Sequence, residues 1–135
     1  MNGNPVPVTN EFTSGNVDVN DTTSASSAQD WLPNDSATIT SAGGTALNGT
    51  LSFTLYESVD CTGTVLYEED TDPVAVGVQP FTLTNAASPA TRSTTNSSVF
   101  VMSSTTVSWL VAFTSSDPSV QSDSHCESTA LTITN

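Results

Sequence analysis

Alternation of apolar and polar residues is the feature that most restricts how this chain can fold. Leu51, Phe53 and Leu55 alternate with polar neighbours, and a second stretch repeats the pattern with Val107, Trp109, Val111 and Phe113. A period of two sends successive side chains to opposite faces of a strand. These stretches therefore predict β-strands that share one core, to which Leu131 and Ile133 of a closing strand also contribute. Ser108 and Thr132 are expected to face solvent and to tolerate charged replacements.

Short runs of this kind recur with turn-forming residues between them. The predicted strands cover residues 37–41, 51–56, 65–67, 74–83, 97–102, 107–113 and 131–134. About seven short strands in a segment of this size are typical of an immunoglobulin-like antiparallel β-sandwich. We therefore predict an all-β fold in which residues 34–135 form the sandwich and residues 1–33 form an extended N-terminal arm or linker.

Composition supports the all-β prediction. The polar part of the chain is mostly Ser, Thr, Asn and Gly, and the chain has no Lys. Thr favours strands and the other three favour turns, whereas the best helix formers are scarce.

The charge balance excludes one class of function. The chain has 14 acidic residues against one basic residue, Arg92, for a net charge of −13. Nucleic-acid binding requires a basic face, which this composition does not supply. No run of about 18 apolar residues is present, so no membrane insertion is expected.

Two cysteines, Cys61 and Cys126, are predicted to form a disulfide that ties two loops at one end of the sandwich. The alternative is a pair of free thiols. A bridge fits a secreted, Ser/Thr-rich chain, and the expected location is extracellular or at the cell surface. A zinc site is disfavoured because His125 is the only histidine.

Six segments carry a resemblance to a known family. They are NDSATI at 34–39, GTLSFTLY at 49–56, DCTGTV at 60–65, VSWLV at 107–111, HCES at 125–128 and LTITN at 131–135. As a set they resemble the bacterial immunoglobulin-like repeat domains of secreted and cell-surface proteins. The resemblance implies a sandwich with a structural or adhesive role and brings no catalytic residues. The chain departs from the pattern at residues 113–118, and the resemblance does not cover residues 1–33.

Catalysis and metal binding receive little support from the sequence. A nucleophilic site needs a base with an orienting partner, and the lone His125 offers no such set. The protein is therefore expected not to be an enzyme and to need no cofactor. Weak candidates for calcium ligands are the acidic residues Glu68, Glu69, Asp70 and Asp72, which lack a recognised spacing motif and fit a solvated turn better.

Two functional interpretations stay open. In the first, the chain is a structural or assembly module of an extracellular surface protein, filament or virion, and its partners are neighbouring copies or adjoining domains. The arm would then add a strand to a neighbouring subunit, with candidate contacts at Val6, Val8, Phe12, Val17, Val19 and Trp31. The rival arrangement folds the arm back on its own sandwich. The second interpretation is a carbohydrate- or protein-binding adhesive module, in which an exposed aromatic such as Trp31 stacks on glycans.

Overall fold

The fold is all-β in the computed structural model, which describes residues 24–69 and 81–134. Seven strands lie in these residues, and no helix does. Their bounds are Ser36–Ile39 (β1), Leu47–Tyr56 (β2), Val65–Glu69 (β3), Phe81–Ala86 (β4), Ala90–Ser93 (β5), Thr105–Ser115 (β6) and Asp123–Leu131 (β7). The prediction of an all-β sandwich of about seven strands is confirmed.

Two antiparallel sheets pack against each other. The smaller pairs β1 with β5, and the larger has the order β3-β2-β6-β7. Strand β2 is long enough to pair with β3 through its second half and with β4 through its first half. These pairings correspond to strands B and E in one sheet and C, F and G in the other, as in an immunoglobulin-like sandwich. No strand among the described residues takes the place of strand A.

The core follows the predicted alternation. Among the residues expected inside, Leu51, Phe53, Leu55, Val107, Trp109 and Val111 are buried. Leu47, Leu83, Ala90, Val101 and Phe113 complete the buried cluster. Leu131 and Ile133, at and beyond the end of β7, pack only partly against it.

The end of the chain differs from the prediction. The last strand was expected at residues 131–134 with Cys126 in the loop before it, but β7 spans Asp123–Leu131 and Cys126 lies in its middle, opposite Leu110. The prediction was wrong because it relied on a buried face. Strand β7 has none, and its position is instead fixed by nine paired residues on β6.

Residues 97–102 were also predicted to be a strand, and only Val101 forms an isolated bridge there, with Trp31. The side chain of Asn96 explains the difference. Its oxygen accepts from the backbone N–H of Ser98 at 3.2 Å and of Val99 at 2.9 Å, and its Nδ2 donates to the carbonyl of Val99 at 2.8 Å. A side chain that bonds to the backbone two and three residues ahead favours a turn over a strand.

Ser108 is buried rather than solvent-facing, with 1% of its surface exposed. The β2–β3 loop folds over it, and its hydroxyl accepts from the backbone N–H of Cys61 at 2.9 Å. Cys61 has a positive φ of 57° and forms the disulfide with Cys126. The predicted disulfide is thus confirmed, but it ties a loop to an edge strand across β6 rather than joining two loops. The expectation that Ser108 tolerates charge is wrong.

Candidate functional site

Strand β7 is the least covered part of the sandwich. Its first eight residues are exposed on both faces, and Leu131 is half-buried. One edge of the strand pairs with β6 along its whole length, and no strand in residues 24–69 or 81–134 pairs with the other edge. A nine-residue open edge is a template for pairing with a further strand.

The direction of the backbone groups along this edge can be read from two hydrogen bonds. Ser115 N–H, at the end of β6, donates toward β7 to the hydroxyl of Ser122 at 2.9 Å. Ile133 N–H, beyond β7, donates toward β6 to the hydroxyl of Ser104 at 2.8 Å. Because the direction alternates along an antiparallel pair, odd-numbered residues of β7 bond to β6. The N–H and C=O groups that face outward belong to Ser124, Cys126, Ser128 and Ala130. The N–H of Ser124 already donates to the Asp123 carboxylate at 2.9 Å.

A crevice runs beside this edge, between β7 and the smaller sheet. Residues 36–39 of β1 form one wall, residues 123–125 and Glu127 form the other, and Val111 and Phe113 form the floor. Its volume is about 240 Å³. We call it the β1–β7 crevice. It lies where strand A would lie in a complete immunoglobulin-like sandwich.

Further hollows lie at both ends of β7. At the N-terminal end of the strand, a cavity of about 690 Å³ lies between the 40–45 turn and residues 119–123. At the C-terminal end, residues 28–31 and 131–133 enclose about 470 Å³.

The crevice is acidic. Asp123 and Glu127 lie on its β7 wall, and Asp35 precedes its β1 wall. Burial raises the pKa of Asp35; the hydrogen bond from Ser36 N–H lowers it, and Glu127 adds a smaller upward effect. A segment that enters the crevice must therefore be uncharged or basic, since another carboxylate there would be repelled.

Trp31, a predicted assembly contact, lies against its own sandwich. Its N–H donates to the carbonyl of Val101 at 2.9 Å, and its carbonyl accepts from Val101 N–H at 2.8 Å. Its half-buried side chain packs on the core. The other predicted contacts, Val6, Val8, Phe12, Val17 and Val19, lie outside the described residues.

The segment after Trp31 is held firmly to the turn that follows β5. Asn34 Nδ2 donates to the carbonyl of Asn96 at 3.1 Å, and Asn96 Nδ2 donates to the carbonyl of Pro33 at 3.0 Å. The hydroxyl of Thr94 donates to Asn34 Oδ1 at 2.8 Å. Residues 31–34 are therefore bonded to the sandwich, although the predicted arm extends to residue 33.

The candidate calcium ligands do not come together. Glu68 is exposed, whereas Glu69 is fully buried, because neighbouring strand residues point to opposite faces. Asp70 and Asp72 lie outside the described residues. In the described ranges, no group of three or more acidic, histidine or cysteine side chains is arranged to hold a metal ion.

Glu69 is instead part of a buried polar cluster that the sequence did not reveal. Its Oε1 accepts from the hydroxyl of Tyr67 at 2.8 Å, from the hydroxyl of Thr95 at 2.9 Å and from Thr95 N–H. The sequence predicted a solvated turn that begins at Glu68, whereas β3 continues through Glu69. The contact with Thr95, which is 26 residues away, has no local sequence signal.

This cluster predicts a pH dependence. Burial, with the Glu69 hydrogen bond and charge, raises the pKa of Tyr67 from 10.0 to about 12. Because the folded pKa is the higher one, the contribution of Tyr67 to stability is complete below about pH 10 and is lost as the pH rises toward about 12. Tyrosinate absorbance of a Tyr56→Phe variant, in which Tyr67 is the only tyrosine, measures this titration while circular dichroism reports the fold. A midpoint near pH 10 in the folded protein would contradict the described hydrogen bond.

Comparison of the chain with known protein families, with curated proteins and with solved structures gives no match. The resemblance to bacterial immunoglobulin-like repeat domains therefore stays an expectation from sequence motifs. Within the part of the chain that the structure describes, no helix is long and apolar enough to cross a membrane. The open edge of β7 and the crevice beside it are consequently the features on which a functional proposal has to rest.

Proposed function

We propose that this chain is a non-enzymatic structural module of an extracellular protein assembly, and that it packs against neighbouring copies of itself along β7. The observation that carries this proposal is the exposure of β7 on both faces together with its open edge. A strand that buries no side chains contributes little hydrophobic free energy to the folding of its own chain. Its nine-residue ladder to β6 holds it ready for a second partner on the other side.

An extracellular location fits the covalent structure. The Cys61–Cys126 disulfide indicates a non-reducing environment. The net charge of −13 keeps the chain apart from anionic surfaces and favours solubility in a secreted protein. The same charge opposes unspecific self-association, so assembly has to use a defined, hydrogen-bonded contact.

A non-enzymatic role is supported by the chemistry of the described residues. His125, the only histidine of the chain, is exposed on β7. Both cysteines are bonded to each other, so neither thiol is available as a nucleophile. The glycan-binding alternative would need a flat aromatic platform. Phe100 is the one exposed aromatic ring among the described residues, and a single ring does not form such a platform.

Amide hydrogen exchange, measured residue by residue by NMR across a protein concentration series, tests the proposal. The amides of Cys126, Ser128 and Ala130 face outward and are expected to exchange fast in dilute solution and to gain protection as the concentration rises. Internal controls lie on the same strand, since the amides of His125 and Glu127 bond to β6 and should be protected throughout. If the outward amides exchange equally fast at every concentration, copies do not pack along β7 and the proposal is wrong.

A further inference from the structure

We infer that the open edge of β7 is the acceptor for residues 4–10 of a neighbouring copy, which add to it as an antiparallel strand. This inference rests on the proposed function and names its partner segment. Residues 4–10 lie outside the described residues. Their sequence and the described edge of β7 support the pairing.

The acceptor presents its hydrogen-bonding groups in a regular row. Cys126, Ser128 and Ala130 each direct one N–H and one C=O away from β6, and the carbonyl of Ser124 extends the row. The N–H of Ser124 donates to the Asp123 carboxylate instead. Strand addition satisfies such groups through main-chain bonds, and side-chain pockets then set specificity. Strand β1, whose outer edge borders the same crevice, has only four residues and offers a shorter template.

The sequence of residues 4–10, Asn-Pro-Val-Pro-Val-Thr-Asn, has the pattern of a strand that bonds on one side only. Pro5 and Pro7 lack an N–H, and their spacing of two places both on the same edge. Val6 and Val8 then direct their N–H groups to the other edge, which would face β7. Proline occurs within sheets mainly on edge strands with its nitrogen toward solvent, as this arrangement requires.

Charge also selects this segment. Residues 4–10 carry no ionisable side chain, whereas the rest of the first 23 residues contains Glu11, Asp18 and Asp21. In the proposed pairing, Pro5 and Pro7 turn their rings into the β1–β7 crevice, next to Asp123 and Glu127, without adding charge. Direct pairing of two β7 edges would instead bring the acidic residues of both copies together.

The chain's own arm passes closest to β7 at the C-terminal end of the strand. Residues 28–31 lie beside residues 131–133, at the C-terminal end of β7. A strand added in cis would run parallel to β7 and would continue back through residues 24–27. Those residues are exposed and form no strand pairing. A neighbouring copy can approach in the antiparallel direction, which is the more stable pairing.

Donor and acceptor are different surfaces, so the contact is heterologous. Each copy donates one segment and accepts one, and repetition gives an open filament or a closed ring. The prolines leave the added strand without donors on its outer edge, so a third strand is not templated.

Two variants of the full-length chain test the pairing. Ser128→Pro removes an outward N–H from the acceptor, and Val6→Pro with Val8→Pro removes both N–H groups of the donor. Each is expected to weaken self-association, measured by sedimentation equilibrium, by about tenfold or more. The matched controls Ser128→Val and Val6→Thr with Val8→Thr keep every N–H and should associate as the unmodified chain does.

A mixture of the two proline variants separates trans from cis pairing. The acceptor variant still has an intact donor, and the donor variant has an intact acceptor, so the mixture is expected to form a one-to-one heterodimer that does not grow further. A monomeric mixture would overturn the inference, as would a monomeric unmodified chain. If the chain self-associates through β7 but the donor variant associates normally, the partner segment is wrong while the proposed function stands. Ala130→Pro provides a second acceptor variant should Ser128→Pro unfold.

Discussion

Replacing both Cys61 and Cys126 with serine lowers the free energy of unfolding by about 4 kcal/mol, the value expected for a bridge that closes a loop of 65 residues. The structure gives a reason why the fold uses a covalent bond at this position. Strand β7 has no buried face, so side-chain packing does little to hold it on the sandwich. The disulfide through Cys126 holds it there covalently. Urea unfolding of the double variant, followed by circular dichroism, measures the loss.

The unmodified protein unfolded in the presence of a thiol reductant is the matched control, since it loses the same bond without any change of side chain. Hydrogen exchange should locate the effect, with lost protection at His125 and Glu127 and little change at Phe53 in the core. An unfolding midpoint that is the same for the double variant and the oxidised protein would contradict a structural role for the disulfide.

Trp109→Ala is expected to cost about 3–5 kcal/mol, because it leaves a large cavity in a core that is otherwise filled. Trp109 is 5% exposed and lies edge-on to Phe53, with ring centroids 6.4 Å apart, and to Tyr67, at 6.1 Å. The substitution removes both ring contacts of Trp109, with Phe53 on β2 and with Tyr67 on β3. Urea unfolding should again be followed by circular dichroism, since the variant loses one of the two tryptophans.

Trp109→Phe is the matched control. The indole Nε1 is buried without a hydrogen-bond partner, so phenylalanine gives up no polar contact. We expect it to keep an aromatic ring between Phe53 and Tyr67 and to lose about 1–2 kcal/mol. Equal losses for the alanine and phenylalanine variants would show that the ring contacts do not carry the effect.

Trp109 and the disulfide also show what can be predicted from the sequence. Trp109 lies in a stretch whose alternation corresponds to one buried and one less buried face of β6. Its place in the core therefore follows from the local pattern. The pairing of Cys61 with Cys126 followed from composition and from the lack of a competing third cysteine. Both predictions depend on properties that each residue carries with it.

Strand β7 shows where this reasoning ends. Its residues are polar on both faces, and periodicity detects a strand only when one face is buried. A weaker signal was present, since residues 121–130 contain neither Gly nor Pro. The crevice, the outward row of backbone groups and the burial of Glu69 depend on strands that are far apart in the chain, and no local pattern reports them.

The crosslink between the β2–β3 loop and the middle of β7 also determines how the module would bear load. Tension applied from the C-terminal side of β7 can peel this strand from β6 only from Leu131 back to Glu127. At Cys126 the force passes through the disulfide to the β2–β3 loop and so to β2. Strand β2 is paired with β6 over eight residues. Rupture then requires shearing of the central strands rather than unzipping of an edge. The pairs that residues 123–126 form with β6 stay in place while the chain is stretched.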